Sequence, residues 1–271
     1  MRFAFCNEGF GDKPWPAVCR ELAEAGYDGV EIAPYTIAET VQEVSAHRRG
    51  EIWAAAREAG LEIVGLHWLL VKPEGLHIGH PEAKVRARTR DYLCHLADFC
   101  ADLGGKIMVF GSPEQRSKMG EASVEDRWRW AVEAFAGALE TLEERGVTLC
   151  IEPLGKEETD LVNTAAEGKR LVEEVGHKNF RLMLDVKAMC SEGEPVADII
   201  RGHGELLAHV HANDENRQAP GFGEVDFRPI VEALREVRYG GYVSVEPFEF
   251  AGEVGEVARR SLCYLRVCAP G

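Results

Sequence analysis

Glu152, Asp185, His211 and Glu246 each close a short apolar run: VTLCIE, RLMLD, LLAHVH and YVSVE. In every run the polar residue follows β-favouring residues and precedes a turn, which puts it at the carboxyl end of a strand, where barrel enzymes keep their chemistry. Three carboxylates and one imidazole suit a divalent cation of manganese, magnesium, cobalt or zinc type, with positions left open for a substrate. One such residue alone reads as an ordinary polar strand end. Four of them on four successive strands read as a metal site.

The elements that must carry these residues follow from the punctuation of the chain. Gly26, Gly60, Gly104, Gly146, Gly176, Gly204 and Gly240 each lie shortly before a predicted strand, and most of them end a helical stretch, where a left-handed residue favours glycine. Eight strands are predicted: 2–7, 29–33, 62–67, 106–111, 147–152, 180–185, 206–211 and 242–246. They alternate with helical segments, among them 15–25, 40–59, 83–103, 124–145, 164–175, 195–202, 227–237 and a last helix near 252–266. In the fourth of these, Trp130, Phe135, Leu139 and Leu142 share one face and read as packing residues. Parallel strands need crossover helices and a closed ring leaves no edge, so the α/β pattern predicts a closed parallel (β/α)8 barrel occupying residues 1–271 as a single domain. An open doubly wound sheet would carry a glycine-rich dinucleotide turn after its first strand, and NEGFGDKP lacks GxGxxG.

Period-2 geometry places Cys150, Met183 and His209 one layer below Glu152, Asp185 and His211. His209 reads as a histidine held by a hydrogen bond rather than as a further ligand. Glu158, Lys187 and Arg217 are loop candidates beyond the strand ends. Glu31 and His67 close the second and third strands. The loop GSPEQR, 111–116, offers Ser112 and Arg116 to the same mouth, suited to hydroxyls, a carboxylate or a phosphate. Segment 69–80, LLVKPEGLHIGH, is long and aliphatic for a connector and is expected to form a lid or a subunit contact.

A formal charge of −15, from 46 acidic against 31 basic residues, disfavours nucleic acid and anionic membranes as partners. Small neutral or metal-chelating substrates fit better. The opening MRFAFCNEGF reads as a strand running into a turn, without a basic stretch and a long apolar run, and the expectation is a cytoplasmic protein. Eight cysteines without a CxxC pair read as reduced, mostly buried thiols.

The sequence resembles the xylose-isomerase-like barrels of sugar isomerases and epimerases, in particular the ketose 3-epimerases of the tagatose and allulose type. The resemblance rests on EPLxxxE from Glu152 to Glu158, NTA at 163–165, the strand end at Asp185, and HxxxxxR from His211 to Arg217. It continues in PGFG at 220–223 and GYVSVEPF at 241–248. It implies that Glu152, Asp185, His211 and Glu246 bind one divalent metal, manganese, cobalt or magnesium, and that Glu152 and Glu246 also move the proton. Two carboxylates on opposite faces of a planar enediolate permit removal from one side and return on the other, which inverts the carbon. The resemblance further implies that Glu158 and Arg217 contact substrate oxygens and that the protein forms a homodimer or homotetramer.

One departure stands out. Where these epimerases carry a histidine three residues after the metal aspartate, this chain has Ala188, and Lys187 is expected to supply the missing contact. His67 and Trp68 are expected at the same mouth, the indole covering an apolar sugar face. The expected activity is therefore that of a metal-dependent isomerase or epimerase on a carbohydrate. The alternative is a lyase acting on a keto-cyclitol or 3-keto-glycoside, since the same intermediate can expel a β-leaving group. A nuclease like the three-zinc endonucleases that act at damaged DNA would need more histidine ligands and a basic stripe. A non-catalytic sugar-binding barrel is a fourth reading.

Overall fold

The computed structural model describes residues 1–269. Eight strands, β1 Arg2–Cys6, β2 Gly29–Ile32, β3 Glu62–Leu66, β4 Ile107–Phe110, β5 Thr148–Ile151, β6 Phe180–Asp185, β7 Leu207–Ala212 and β8 Tyr242–Val245, pair in chain order into a closed barrel. Every pairing is parallel, including β1 with β8. The expected fold is the observed one.

Around the barrel run α1 Trp15–Ala25, α2 Ala46–Glu58, α3 Ala83–Asp102, α4 Val124–Ala136, α5 Leu139–Arg145, α6 Ala165–Val175, α7 Val186–Cys190, α8 Val196–His203, α9 Phe227–Glu236 and α10 Val254–Cys268. Their apolar stripes meet the outer faces of the strands in one continuous core, in which α9 contributes Phe227, Ile230, Val231 and Leu234 at helical spacing. Inside the ring, Val109, Cys150 and Met183 pack together, so the expected layer beneath the strand tips is present. Gly26, Gly146 and Gly176 take left-handed conformations at helix ends, whereas Gly204 stays right-handed at φ −55. Gly65 has a different reason to be glycine: a Cβ there would lie 1.8 Å from the Ile107 carbonyl oxygen, so only glycine lets β3 and β4 approach.

Four local expectations are corrected. The helix expected over 40–59 begins only at Ala46, because the Ser45 side chain accepts from the Arg48 N–H and caps it there. The helix over 124–145 is broken between α4 and α5 at Gly137 and Ala138. Phe135 and Leu142 are buried on either side of the break, while Trp130 and Leu139 are only partly covered. Lys187, expected in a loop, lies in the short α7, whose amino-terminus is capped by Asp185. Segment 69–80 does not present the exposed aliphatic surface expected of it, since Leu69, Leu70, Leu76, His77 and Ile78 are all buried. The Leu70 N–H donates to Ser112 Oγ and the Ile78 N–H to the Gln115 carbonyl, which ties the segment to the loop after β4.

Among the described residues no helix is long and apolar enough to cross a membrane. Cys6, Cys19, Cys100, Cys150 and Cys268 are buried, and all eight thiols are unpaired.

Candidate metal centre and cleft

The tips of β5 to β8 bring four side chains together. Asp185 ends β6 and His211 is the last but one residue of β7, the two being paired in register; Glu152 and Glu246 follow β5 and β8 by one residue. One ligand atom from each lies within 4.8 Å of the others, and all four residues are buried. His211 Nδ1 stands 2.9 Å from Glu246 Oε2 and 3.8 Å from Glu152 Oε1. Both His211 Nδ1 and Glu246 Oε2 lack a hydrogen-bond partner although buried, which native interiors rarely tolerate. Unpaired donor atoms converging from three carboxylates and an imidazole fit a divalent cation.

Neighbours fix each member. Asp185 accepts from the Ala188 N–H at 2.8 Å and from Asn213 Nδ2 at 2.6 Å. Gly111 makes room for Glu152, because a Cβ at that position would sit 1.9 Å from Glu152 Oε2. Glu31 lies at the barrel axis, fully buried, with one oxygen 2.7 Å from His209 Nε2 and the other 3.1 Å from His211 Nε2. An ionised carboxylate only accepts, so both Nε2 atoms carry hydrogens. The lone pair of a neutral His211 is thereby left on Nδ1, facing the carboxylates. His209 is thus held by a hydrogen bond one layer down, as its spacing suggests.

The electrostatics follow from burial. Desolvation pushes the Glu152 carboxyl well above the carboxylate range and the Glu246 charge adds to this; burial likewise raises Asp185 and Glu246. For Glu31 burial also acts upward, but His209 and His211 outweigh it and hold the group well below its ordinary value. Burial opposes charge on His211, yet Glu246 and Glu31 prevail and raise it well above the imidazole range. A cation among Glu152, Asp185 and Glu246 would relieve the repulsion that burial intensifies.

Above the quartet a narrow cleft of about 20 Å³ is lined by His67, Trp68, Pro113, Leu154, Glu158 and Phe248, with Glu152 and Glu246 at its base. Lys187 Nζ donates to Glu158 Oε2 at 2.7 Å and lies 5.2 Å from the Phe248 ring centre. The Arg217 guanidinium lies 5.0 Å from the same ring, and Trp68 meets it edge-on at 6.3 Å. Trp68 and Arg217 both hold positive φ, 51° and 69°, an uncommon conformation for bulky side chains and one that clusters at functional sites. His67 Nε2 is 2.8 Å from Glu8 Oε2, a partner that sequence reading passed over because Glu8 follows its strand by two residues. Asn213, equally missed, carries no signal beyond lying two residues past His211.

Arg116 departs from expectation. It is fully buried, with Nη1 donating to the Glu152 carbonyl at 2.8 Å, and burial lowers its pKa to about 10. Ser112 is buried as well, accepting from Leu70. Neither lines the cleft. Their loop folds inward against segment 69–80, and Arg116 braces the backbone of Glu152 from behind.

A profile of the xylose isomerase-like TIM barrel family matches residues 19–268. The chain belongs to that family. Among its relatives, D-psicose 3-epimerase of Agrobacterium fabrum is 30% identical over 238 residues, 86% of this chain and 78% of the relative. The 3-dehydro-D-guloside 4-epimerase of Escherichia coli K12 is 28% identical over 99% of this chain and 100% of its own. A crystal structure of D-psicose 3-epimerase in the presence of D-fructose superposes with a TM-score of 0.87 at 25% identity, covering 100% of both chains. This member of the family therefore shares its full length with sugar epimerases.

Two measurements test the centre. Glu31→Ala removes the acceptor that places the His211 hydrogen, and is expected to weaken manganese binding about 10–100-fold by calorimetry, with Glu31→Gln recovering part of the loss through its remaining acceptor. Unchanged affinity in Glu31→Ala would refute that role. The second concerns pH. Carboxyls with raised folded pKa contribute stability that is fully present below their unfolded values of about 4 and is lost as pH rises through the folded value. His211, also raised, contributes fully below about 6.5 and loses its share as pH climbs. The cation binds the deprotonated donors, so the Tm difference between manganese and chelator should widen from about pH 5.5 to about pH 8. A difference that shrinks over this range contradicts the donor set.

Proposed function

We propose that this chain is a divalent-metal-dependent sugar epimerase that works by proton transfer on carbon next to a carbonyl. The observation that carries the reading is the convergence of Glu152 and Glu246 with Asp185 and His211 at the base of a cleft with both aromatic and charged walls. Similarity over 86% of the chain to a D-psicose 3-epimerase and over 99% of it to a 3-dehydro-D-guloside 4-epimerase supports the same reaction class. Glu152, Asp185, His211 and Glu246 would hold the ion, which when bound supplies Lewis-acid polarisation of the carbonyl. Manganese, cobalt or magnesium is the proposed ion, with zinc as the alternative.

The residues divide the remaining work. Glu152 and Glu246 come from strands on different sides of the quartet, one taking the proton from carbon and the other returning it. Each is a carboxylate that can take up a proton in one step and release it in the next. Trp68 and Phe248 cover the apolar face of the sugar, while Glu158, held by Lys187, and Arg217 meet its hydroxyls. His67, oriented by Glu8, stands beside Glu246 at the base. A cytoplasmic setting and a homodimer or homotetramer belong to the same proposal.

Incubation in deuterated water with a panel of ketoses and 3-keto-glycosides tests it directly. Exchange at carbon with an unchanged skeleton is expected, falling about 10²–10⁴-fold in Glu152→Gln and Glu246→Gln. Loss of water or of an aglycone would instead mark a lyase. Lys187→Ala frees Glu158 and should raise KM and lower kcat together; a variant unchanged in both would exclude Lys187 from the site.

A further inference from the structure

A second cavity, about 390 Å³, opens at the amino-terminal end of the barrel, away from the cleft. Arg2, Glu62 and Tyr242 from the strand starts, Lys106 just ahead of β4, and Trp53 and Arg57 from α2 form its walls. In a chain with a net charge of −15, this cavity gathers three cations against one carboxylate. That carboxylate is already engaged, since Glu62 accepts from Arg2 at 3.1 Å and from the Tyr242 hydroxyl at 2.8 Å. The side chains of Arg57 and Lys106 have no hydrogen-bond or ion-pair partner among the described residues, Arg57 only overlying the Trp53 ring at 5.1 Å. Trp53 is 41% exposed, one of the few large apolar side chains left in water.

The interior end of the cavity is also unsatisfied. His209 lines it, fully buried, with Nε2 committed to Glu31 and Nδ1 without a partner. Two small residues, Ala208 and Gly241, line the same cavity. Unpaired cations, an exposed indole and an orphaned buried ring nitrogen are each costly or idle without an occupant.

We propose that this cavity is a second binding site, for a small organic anion with a flat apolar body. The anionic group meets Arg57 and Lys106 as a charge-assisted pair, and the body lies along Trp53 and Tyr242 toward His209. The site is independent of the metal centre and stands or falls without it.

Calorimetric titration of the full, manganese-loaded chain with benzoate and with inorganic phosphate tests the assignment. One benzoate per chain is expected, bound more tightly than phosphate. Removal of one charge-assisted contact should weaken it about tenfold in Arg57→Ala and in Lys106→Ala. Both are exposed side chains, so Tm and metal content should stay at wild-type values. Glu152→Gln should leave benzoate binding intact. The proposal is overturned if benzoate gives no heat of binding, if phosphate binds as tightly, if neither charge deletion matters, or if Glu152→Gln abolishes binding.

Discussion

Carboxylates crowded out of water repel one another, and the management of that repulsion organises this barrel. Glu31, Glu152, Asp185 and Glu246 are all buried within one end of the ring. Glu31 is held by hydrogen bonds from His211 and His209, and Glu158 on the cleft wall is paired with Lys187. Glu152 and Glu246 receive less: burial raises both, and each faces the other across His211. The fold therefore places its hydrogen-bond donors and the Lys187 cation beneath and beside the quartet and leaves the quartet itself short of positive charge. That imbalance suits the strand tips to a divalent ion.

Backbone geometry upholds the arrangement. Parallel registration of β6 with β7 sets Asp185 opposite His211, and the adjacent strands β5 and β8 bring in the remaining two carboxylates. Glycine serves where side chains would collide: Gly65 lets β3 approach β4, and Gly111 leaves the volume that Glu152 fills. The loop after β4 then turns inward, with Arg116 supporting the Glu152 carbonyl. An arginine placed beside carboxylates in sequence space thus proved to be a brace on the backbone rather than a hand for substrate.

Much of this was legible in the chain because barrel strands are short, apolar and closed by a polar residue. Strand ends at Glu152, Asp185, His211 and Glu246 could be read from periodicity alone, and the eightfold alternation named the ring. Helix limits were less legible where local chemistry overrode composition. Ser45 capped a helix that its apolar pattern would have begun earlier, and Asp185 started the unforeseen α7 with the same side chain that joins the quartet. Segment 69–80 looked like a lid because aliphatic residues in a loop suggest an unpartnered face. Its partner, the loop at 112–117, lies some forty residues on in the chain.

The sequence by itself determined which polar residues close the last four strands, the strands that carry them and the family pattern from Glu152 to Phe248, because these depend on residue type and on spacing within single units. Only the tertiary structure decided which groups neutralise which. That Glu31 fixes the His211 hydrogen from across the ring, that Glu8 orients His67, that Lys187 holds Glu158, and that Arg116 is sealed inside are contacts between residues from 29 to 180 positions apart or questions of burial. Charge pairing acts through space, and the distances that govern it exist only once the barrel closes.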